Sequence, residues 1–497
     1  MGKSLAIFGT ASDVGKSIIA TALCRIFADR KIKVAPFKAQ NMSNNSFVTL
    51  DGYEMGVAQA IQAFASRIAP SYLMNPVLLK PSSDVGSQVV LNGKPIGNVK
   101  AKDYFKNTDF LFEQAKKGFN LLKDKYELVV IEGAGSCAEV NLKGRDFANF
   151  KMAHFANANV LLIADIDKGG VFAQIVGTLE CLDKKDRDLI KGIIINKFRG
   201  DISLFEDGIK FIEEKTKLPV LGVVPYFRDI LIDSEDSLSI NSLCDKTEIV
   251  KNAINIAIIK LPHISNFTDF SAFLIEDSVR VHYLSKPKDL SLYDAVIVPG
   301  TKSTISDLKW IKDTGWDRLI IDYANKGGYV FGICGGYQML GRVVEDEFGV
   351  ESNKKTIDGL GLIDAKTTLE KQKVLTNIEG FLINGNIPVY GYEIHMGKTI
   401  IPKGNSAVRI VKRNQRECDA YDGFLKKNIW GFYIHGIFDD YKFRHFFLES
   451  VAKNKFKNKN RVNYKDFRDE QYDKMANLFL RSVDFDKLLK VMELQNV

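Results

Sequence analysis

Short runs of consecutive apolar residues alternate along the first half of the chain with longer stretches in which apolar positions recur three and four apart. Ser4–Thr10, Val34–Ala39, Leu128–Glu132, Asn159–Asp165, Gly192–Asn196 and Val220–Val224 are uninterrupted enough to be strands covered on both faces. Lys16–Arg30 and Gly170–Leu182 lie between them with helical periodicity, and the alternation predicts an α/β fold with a parallel sheet flanked by helices. From Phe227 to Asn252 the chain turns polar and loses its period, which places a boundary there. A second α/β pattern follows with Ile254–Leu261, Asp294–Pro299 and Tyr329–Ile333, then shorter strands that include Phe432–His435. After Phe443 the pattern is helical and amphipathic to the end, clearest over Tyr472–Arg481. The expected division is a domain over 1–230, a linker over 231–252, a second domain over 253–445 and a helical tail over 446–497.

Composition changes this picture little. A chain of 497 residues exceeds one hydrophobic core, and 45% hydrophobic with 26% charged residues is ordinary for a globular protein. No apolar run reaches the length of a membrane span, no signal peptide opens the chain, and position six is Ala6 where a myristoylation site wants Ser or Thr, so no membrane partner is expected. The 6 cysteines include no C-x-x-C pair, which argues against a disulfide framework or structural zinc and suits a reducing cytoplasm. The formal charge of +8 fits polyanionic small molecules; the basic run Lys453–Arg461 reads as a solvated connection, and without a recognisable binding module no nucleic-acid partner is expected.

Two segments carry chemistry. Gly9-Thr-Ala-Ser-Asp-Val-Gly-Lys-Ser17 sits between a strand and a helix, where backbone N–H groups wrap phosphate oxygens. Thr10, Asp13, Gly15, Lys16 and Ser17 are the expected ATP-binding set, with Lys16 reaching the terminal phosphates and Ser17 placed to ligate Mg²⁺. The first glycine stands one residue earlier than in the commonest phosphate loop, a variant that resembles the loop of dethiobiotin synthetase, in which ATP activates a carboxylate. Glu132 ends a buried strand, where it can hold Mg²⁺ or cap the next turn. Asn196 ends another and is expected at the adenine edge, although Arg199 occupies the place of the aspartate in an N-K-x-D pattern. Asp165 and Asp167 lie at a third strand end, with substrate, metal and turn-capping roles all open.

The second segment is Gly332-Ile-Cys-Gly-Gly336, a strand that becomes a helix at once. Small flanking residues permit the strained turn of a nucleophile elbow, with the Cys334 thiol exposed at a helix start and the Gly335 N–H placed for an oxyanion. His435, at the end of an apolar strand, is the expected base, with His395 as its competitor. This arrangement resembles the class I glutamine amidotransferases, and Val298–Ser303 resembles their second oxyanion segment, implicating Gly300. Most members carry a glutamate two residues after the histidine; here that residue is Ile437, and Asp439 is the substitute considered.

Pro36–Ser46, Met74–Gln88 and the C-terminal tail together resemble the cobyric acid synthase family over nearly the whole chain. The resemblance implies glutamine-dependent, ATP-driven amidation of four peripheral carboxylates of a corrinoid, whose cobalt belongs to the substrate and needs no protein site. It also implies a substrate site containing Lys38, Gln40, Asn41, Asn44 and Asn45, whose amide side chains both donate and accept and so tolerate acids and new amides alike; Asp165 and Asp167 are carried as further substrate-binding candidates. The alternatives are the related cobyrinic acid a,c-diamide synthase and a partitioning-type ATPase scaffold carrying a degenerate amidotransferase domain. Thr10, where such ATPases place a lysine, and the intact Cys334 and His435 weigh against the scaffold.

Overall fold

The computed structural model describes residues 2–83, 86–100, 104–227, 230–231, 244–351, 355–402, 406–456 and 461–495. Most of the polar linker and part of the basic run therefore lie outside the described residues. The chain forms two compact units, and neither is continuous in sequence.

The first unit comprises Met1–Met42, Met55–Ile232 and Arg468–Val497. Its centre is a 6-stranded sheet in the order Val220–Pro225, Ile190–Phe198, Asn159–Asp165, Lys3–Gly9, Leu128–Glu132, Val34–Phe37. Every pairing is parallel, so the strand ends that carry Glu132, Asp165 and Asn196 share one edge with the loop after Gly9. These are the six strands the apolar runs predict, and the buried Leu5, Ile7, Val130, Leu161 and Ile163 explain the runs, since both faces are covered by helices. A 4-stranded sheet, which the apolar pattern does not announce, is built from Gln40–Met42, Val77–Ser83, Gly86–Leu91 and Lys94–Lys100.

The C-terminal residues complete this unit. Arg25, with no exposed side-chain surface, donates to Asp469 at 2.7 Å and to Asp473 at 2.8 Å, while Phe485 packs on Phe27 with ring centroids 5.8 Å apart. The expected single tail over 446–497 is thus divided: Tyr441–Ala452 belongs to the second unit, and Arg468 onward to the first.

The second unit comprises Ser43–Glu54 and Asp233–Phe467. Its sheet begins with parallel strands in the order Val279–Leu284, Ile254–Ile259, Ala295–Val298, Tyr329–Ile333, Ile429–Phe432 and continues into long antiparallel strands such as Lys366–Leu382 and Pro388–Ile400. Ser43–Glu54, expected in the first domain, belongs here. Ser46 N donates to Asn266 Oδ1 at 3.0 Å, Asn377 Nδ2 donates to the carbonyls of Val48 and Thr49, and Glu54 pairs with buried Lys373 at 2.5 Å.

Candidate active sites

In the first unit the loop Gly9–Ser17 leaves its strand and turns through left-handed backbone at Asp13 (φ 58°) and Gly15 (φ 98°) before the helix Lys16–Asp29. A side chain at Gly15 would meet Asn196 Nδ2 at 2.1 Å, so glycine is required by both torsion and space. Lys16 lies back along the loop, donating to Ala11 O at 3.0 Å and Gly135 O at 2.7 Å. Thr10 is tied to the sheet by its N–H to Ile163 O at 3.0 Å.

Ser17 Oγ donates to Glu132 Oε1 at 2.8 Å, which brings the two expected metal ligands together. The same oxygen accepts from Lys38 Nζ at 2.9 Å, and Gln62 Nε2 donates to Oε2 at 2.5 Å. Burial by itself would raise the Glu132 pKa, but the Lys38 charge and the hydrogen bonds from Lys38, Ser17 and Gln62 hold it below the usual carboxylate value. The carboxylate is therefore ionised beside the Ser17 hydroxyl, and these two are the hard oxygen donors at this strand end.

Other expected contacts resolve differently. Asn196 is fully buried and its Nδ2 donates to Val14 O at 2.8 Å, which braces the phosphate loop. Asp165 accepts from Lys197 Nζ at 2.8 Å, and Lys197 in turn donates to Asp13 O at 2.5 Å, a second brace on the loop. Asp167 pairs with Arg199, whose guanidinium lies 3.7 Å from the Tyr226 ring centroid; the hydrogen bond and charge of Arg199 lower the Asp167 pKa. Asn41 is buried, donating to Gln59 Oε1 and accepting from Met42 N, a structural use of the amide. Asn44 and Asn45 lie in the segment that joins the second unit, and the Asn45 N–H donates to Ser43 Oγ at 3.0 Å, which is turn chemistry. Of the amide-rich set, Lys38 and Gln40 stay with the phosphate loop.

In the second unit Cys334 adopts φ 50° and ψ −109°, and the helix Gly335–Leu340 starts at the next residue. A non-glycine residue in that region costs about 1–3 kcal/mol, the strain of a nucleophile elbow. Cys334 Sγ donates to Ile394 O at 3.3 Å and shares a hydrogen bond with His435. Gly300 closes the site: a methyl group on it would stand 3.0 Å from His435 Cε1 and 3.7 Å from Cys334 Cβ. Thr301 N lies 3.3 Å from where a Gly335 side chain would begin, so the two expected oxyanion segments lie side by side. Buried Asp307 fixes the loop by accepting from Thr301 Oγ1 at 2.5 Å and meeting His263 Nδ1 at 2.7 Å.

The group that orients His435 is Asp269, which the sequence reading missed. Its Oδ2 is 2.7 Å from His435 Nδ1 and its Oδ1 accepts the Gly436 N–H at 2.8 Å. Asp439, the expected substitute, donates its N–H to Gly436 O at 3.0 Å and accepts the Tyr464 N–H at its carbonyl at 2.9 Å. Asp269 sits on the 3₁₀ helix Phe267–Ile275, an apolar run with one acid, and that lone buried charge was the available signal. Tyr392 stacks on His435 with ring centroids 5.5 Å apart. His395 is held neutral: burial lowers its pKa to about 4, and its Nδ1 is 2.7 Å from Gly397 O.

Burial would depress the His435 pKa, yet the charge and hydrogen bond of Asp269, with Cys334 beside it, raise it to about 10. The folded value lies above the unfolded one, so this group's contribution to stability is complete below the ordinary imidazole range and is lost as pH rises towards 10. Asp269→Asn is expected to lower glutaminase kcat by about 10²- to 10⁴-fold, the range of general acid–base catalysis, with little change in the KM for glutamine. Steady-state kinetics across pH check this, since losing the carboxylate moves the histidine limb of the profile to lower pH. An unchanged kcat and profile would reduce Asp269 to a packing residue.

Residues 5–240 match the family described as the CobQ/CobB/MinD/ParA nucleotide binding domain, and residues 255–443 match the CobB/CobQ-like glutamine amidotransferase domain. A protein of Chlorobium phaeobacteroides (strain BS1) named cobyric acid synthase is 49% identical over 494 residues, covering 99% of each chain. One of the same name from Caldanaerobacter subterraneus subsp. tengcongensis is 45% identical over 508 residues, again covering 99% of each. With both family domains matched in order and the likeness running end to end, the chain belongs to the cobyric acid synthase family.

Proposed function

We propose that this protein amidates the b, d, e and g carboxylates of adenosylcobyrinic acid a,c-diamide to give adenosylcobyric acid in cobalamin biosynthesis, with glutamine as nitrogen donor and MgATP as energy source. The reading is carried by the presence, in a chain matched over its length by proteins named cobyric acid synthase, of both a phosphate loop with Ser17 and Glu132 and a Cys334–His435–Asp269 constellation.

At the glutaminase site the Cys334 thiolate attacks the side-chain amide carbon of glutamine, and the oxyanion faces the N–H groups of Gly335 and the Gly300–Thr301 loop. His435, protonated and held by Asp269, gives its proton to the departing nitrogen, which leaves as ammonia. The neutral imidazole then takes a proton from water as the hydroxide oxygen attacks the thioester, releasing glutamate and restoring the pair. At the phosphate loop a corrinoid carboxylate oxygen displaces ADP from the γ-phosphorus, and Lys16 follows the transferred charge. Ammonia attacks the acyl phosphate, forming the amide and releasing inorganic phosphate. Ser17 and Glu132 are the residues that would hold Mg²⁺, whose chemistry is to neutralise charge on the β- and γ-phosphates.

Mass spectrometry of the corrinoid after incubation with MgATP and amide-¹⁵N glutamine tests the reading. Four successive labelled amidations are expected. Glutamine hydrolysis with an unaltered corrinoid would overturn the choice of acceptor. The related a,c-diamide synthase reaction is not favoured by the relatives' names, and amidation of cobyrinic acid itself in the same assay would revive it.

A further inference from the structure

Beside the phosphate loop, wholly within the first unit, lies a cavity of about 430 Å³. One wall is a face of the 4-stranded sheet. Pro81, Ser87 and Val99 are cross-strand partners and form a row across it, and the paired Met42 and Leu79 continue that face. Tyr104 stands at the edge of this wall, where its hydroxyl donates to Gln40 Oε1 at 2.6 Å.

The opposite wall is the stretch after Glu132, which contributes Gly135, Ser136, Leu142 and Arg145. This wall is pinned in place. Asn149 exchanges hydrogen bonds with both backbone groups of Ala134, and Asp146 accepts from the N–H groups of Ala148 and Asn149 and from Asn149 Nδ2. Gly135 belongs to both sites: it lines the cavity, and its carbonyl accepts from Lys16 Nζ at 2.7 Å. A molecule filling the cavity therefore ends against the residue that holds the phosphate-loop lysine.

We infer that this cavity binds the apolar ring of the corrinoid, with the carboxylate to be activated reaching past Gly135 to the γ-phosphate of ATP. The inference rests on the reaction assigned above. Its chemistry follows from the lining. A macrocycle carrying carboxylates around an apolar face needs apolar contact at its centre and donors at its rim. The sheet face supplies the first, and Gln40 Nε2, Ser136 and Arg145 supply the second. In-line phosphoryl transfer needs the attacking oxygen within about 3.5 Å of the phosphorus, so the acceptor must dock next to the loop.

The test fills the cavity without touching either catalytic centre. Ser87→Trp places an indole in the middle of the row, and Val99→Asp puts a charge at its end as a second variant should the first fail to fold. Amidation is driven by ammonium salts, and the KM for adenosylcobyrinic acid a,c-diamide is read together with MgATP affinity, glutaminase rate and thermal melting. A rise of tenfold or more in the corrinoid KM, with ATP affinity and glutaminase unchanged, is expected. Wild-type turnover with both folded variants retaining the wild-type KM would overturn the cavity assignment alone. A wild-type protein that leaves the corrinoid untouched would overturn the proposed reaction, and this inference with it.

Discussion

Cys334→Ser should abolish glutamine-dependent amidation, by about 10³-fold or more, while leaving amidation from ammonium salts close to wild type. Serine fits the elbow, since the strain at φ 50° belongs to the backbone and the side chains are nearly isosteric. What is lost is the sulfur nucleophile: a serine hydroxyl beside His435 is a far weaker nucleophile towards the amide carbon. Ammonia generated in solution bypasses that step and meets the acyl phosphate directly. Measuring corrinoid amidation with each nitrogen source separates the two. A Cys334→Ser protein that folds, binds ATP and still fails with abundant ammonia would refute the division of labour between the units.

Glu132→Gln should be as severe for the other half, lowering amidation by about 10³-fold or more with either nitrogen source while basal glutaminase persists. The substitution keeps the shape of the side chain and removes the negative charge that faces Ser17 and Lys38. It carries a folding cost too, because Glu132 is 1% exposed and Lys38 6% at their side chains, and breaking a buried pair from one side costs about 3–5 kcal/mol. The double variant Lys38→Met/Glu132→Gln separates the effects. It is expected to recover melting temperature and to remain inactive. Recovery of amidation together with stability would mean that Glu132 serves folding and not the phosphate transfer.

The parallel strands were legible because burial on both faces writes itself as continuous apolar sequence; Asn159–Asp165 and Leu128–Glu132 coincide with their runs to the residue. The elbow was legible because its strain demands glycines at fixed spacing around Cys334. The small sheet was not, since Gly86–Leu91 and Lys94–Lys100 are short, partly exposed strands rich in polar residues. The long strands Lys366–Leu382 and Pro388–Ile400 escaped for a related reason, half-buried stretches showing no unbroken apolar run. Asp269 was missed on different grounds. A catalytic partner 166 positions from its histidine is fixed by tertiary packing, and spacing rules search only nearby sequence. The amides of Asn41 and Asn196 are buried and bond backbone groups, a use that residue type alone does not announce.

The crossing of Ser43–Glu54 into the second unit, answered by the return of Arg468–Val497 to the first, bears on how such a gene can be rearranged. A break near residue 232 would give two polypeptides, neither carrying all the residues of one folded body. The amino-terminal product would lack Asp469 and Asp473, which hold the guanidinium of Arg25, and the carboxy-terminal product would lack Glu54, the carboxylate that meets Lys373. Fission into free-standing subunits, open to enzymes whose domains are joined by a simple tether, is closed to this chain unless both segments are moved as well. The fusion of synthetase and glutaminase is thereby fixed by folding, independently of any advantage in keeping ammonia close to its acceptor.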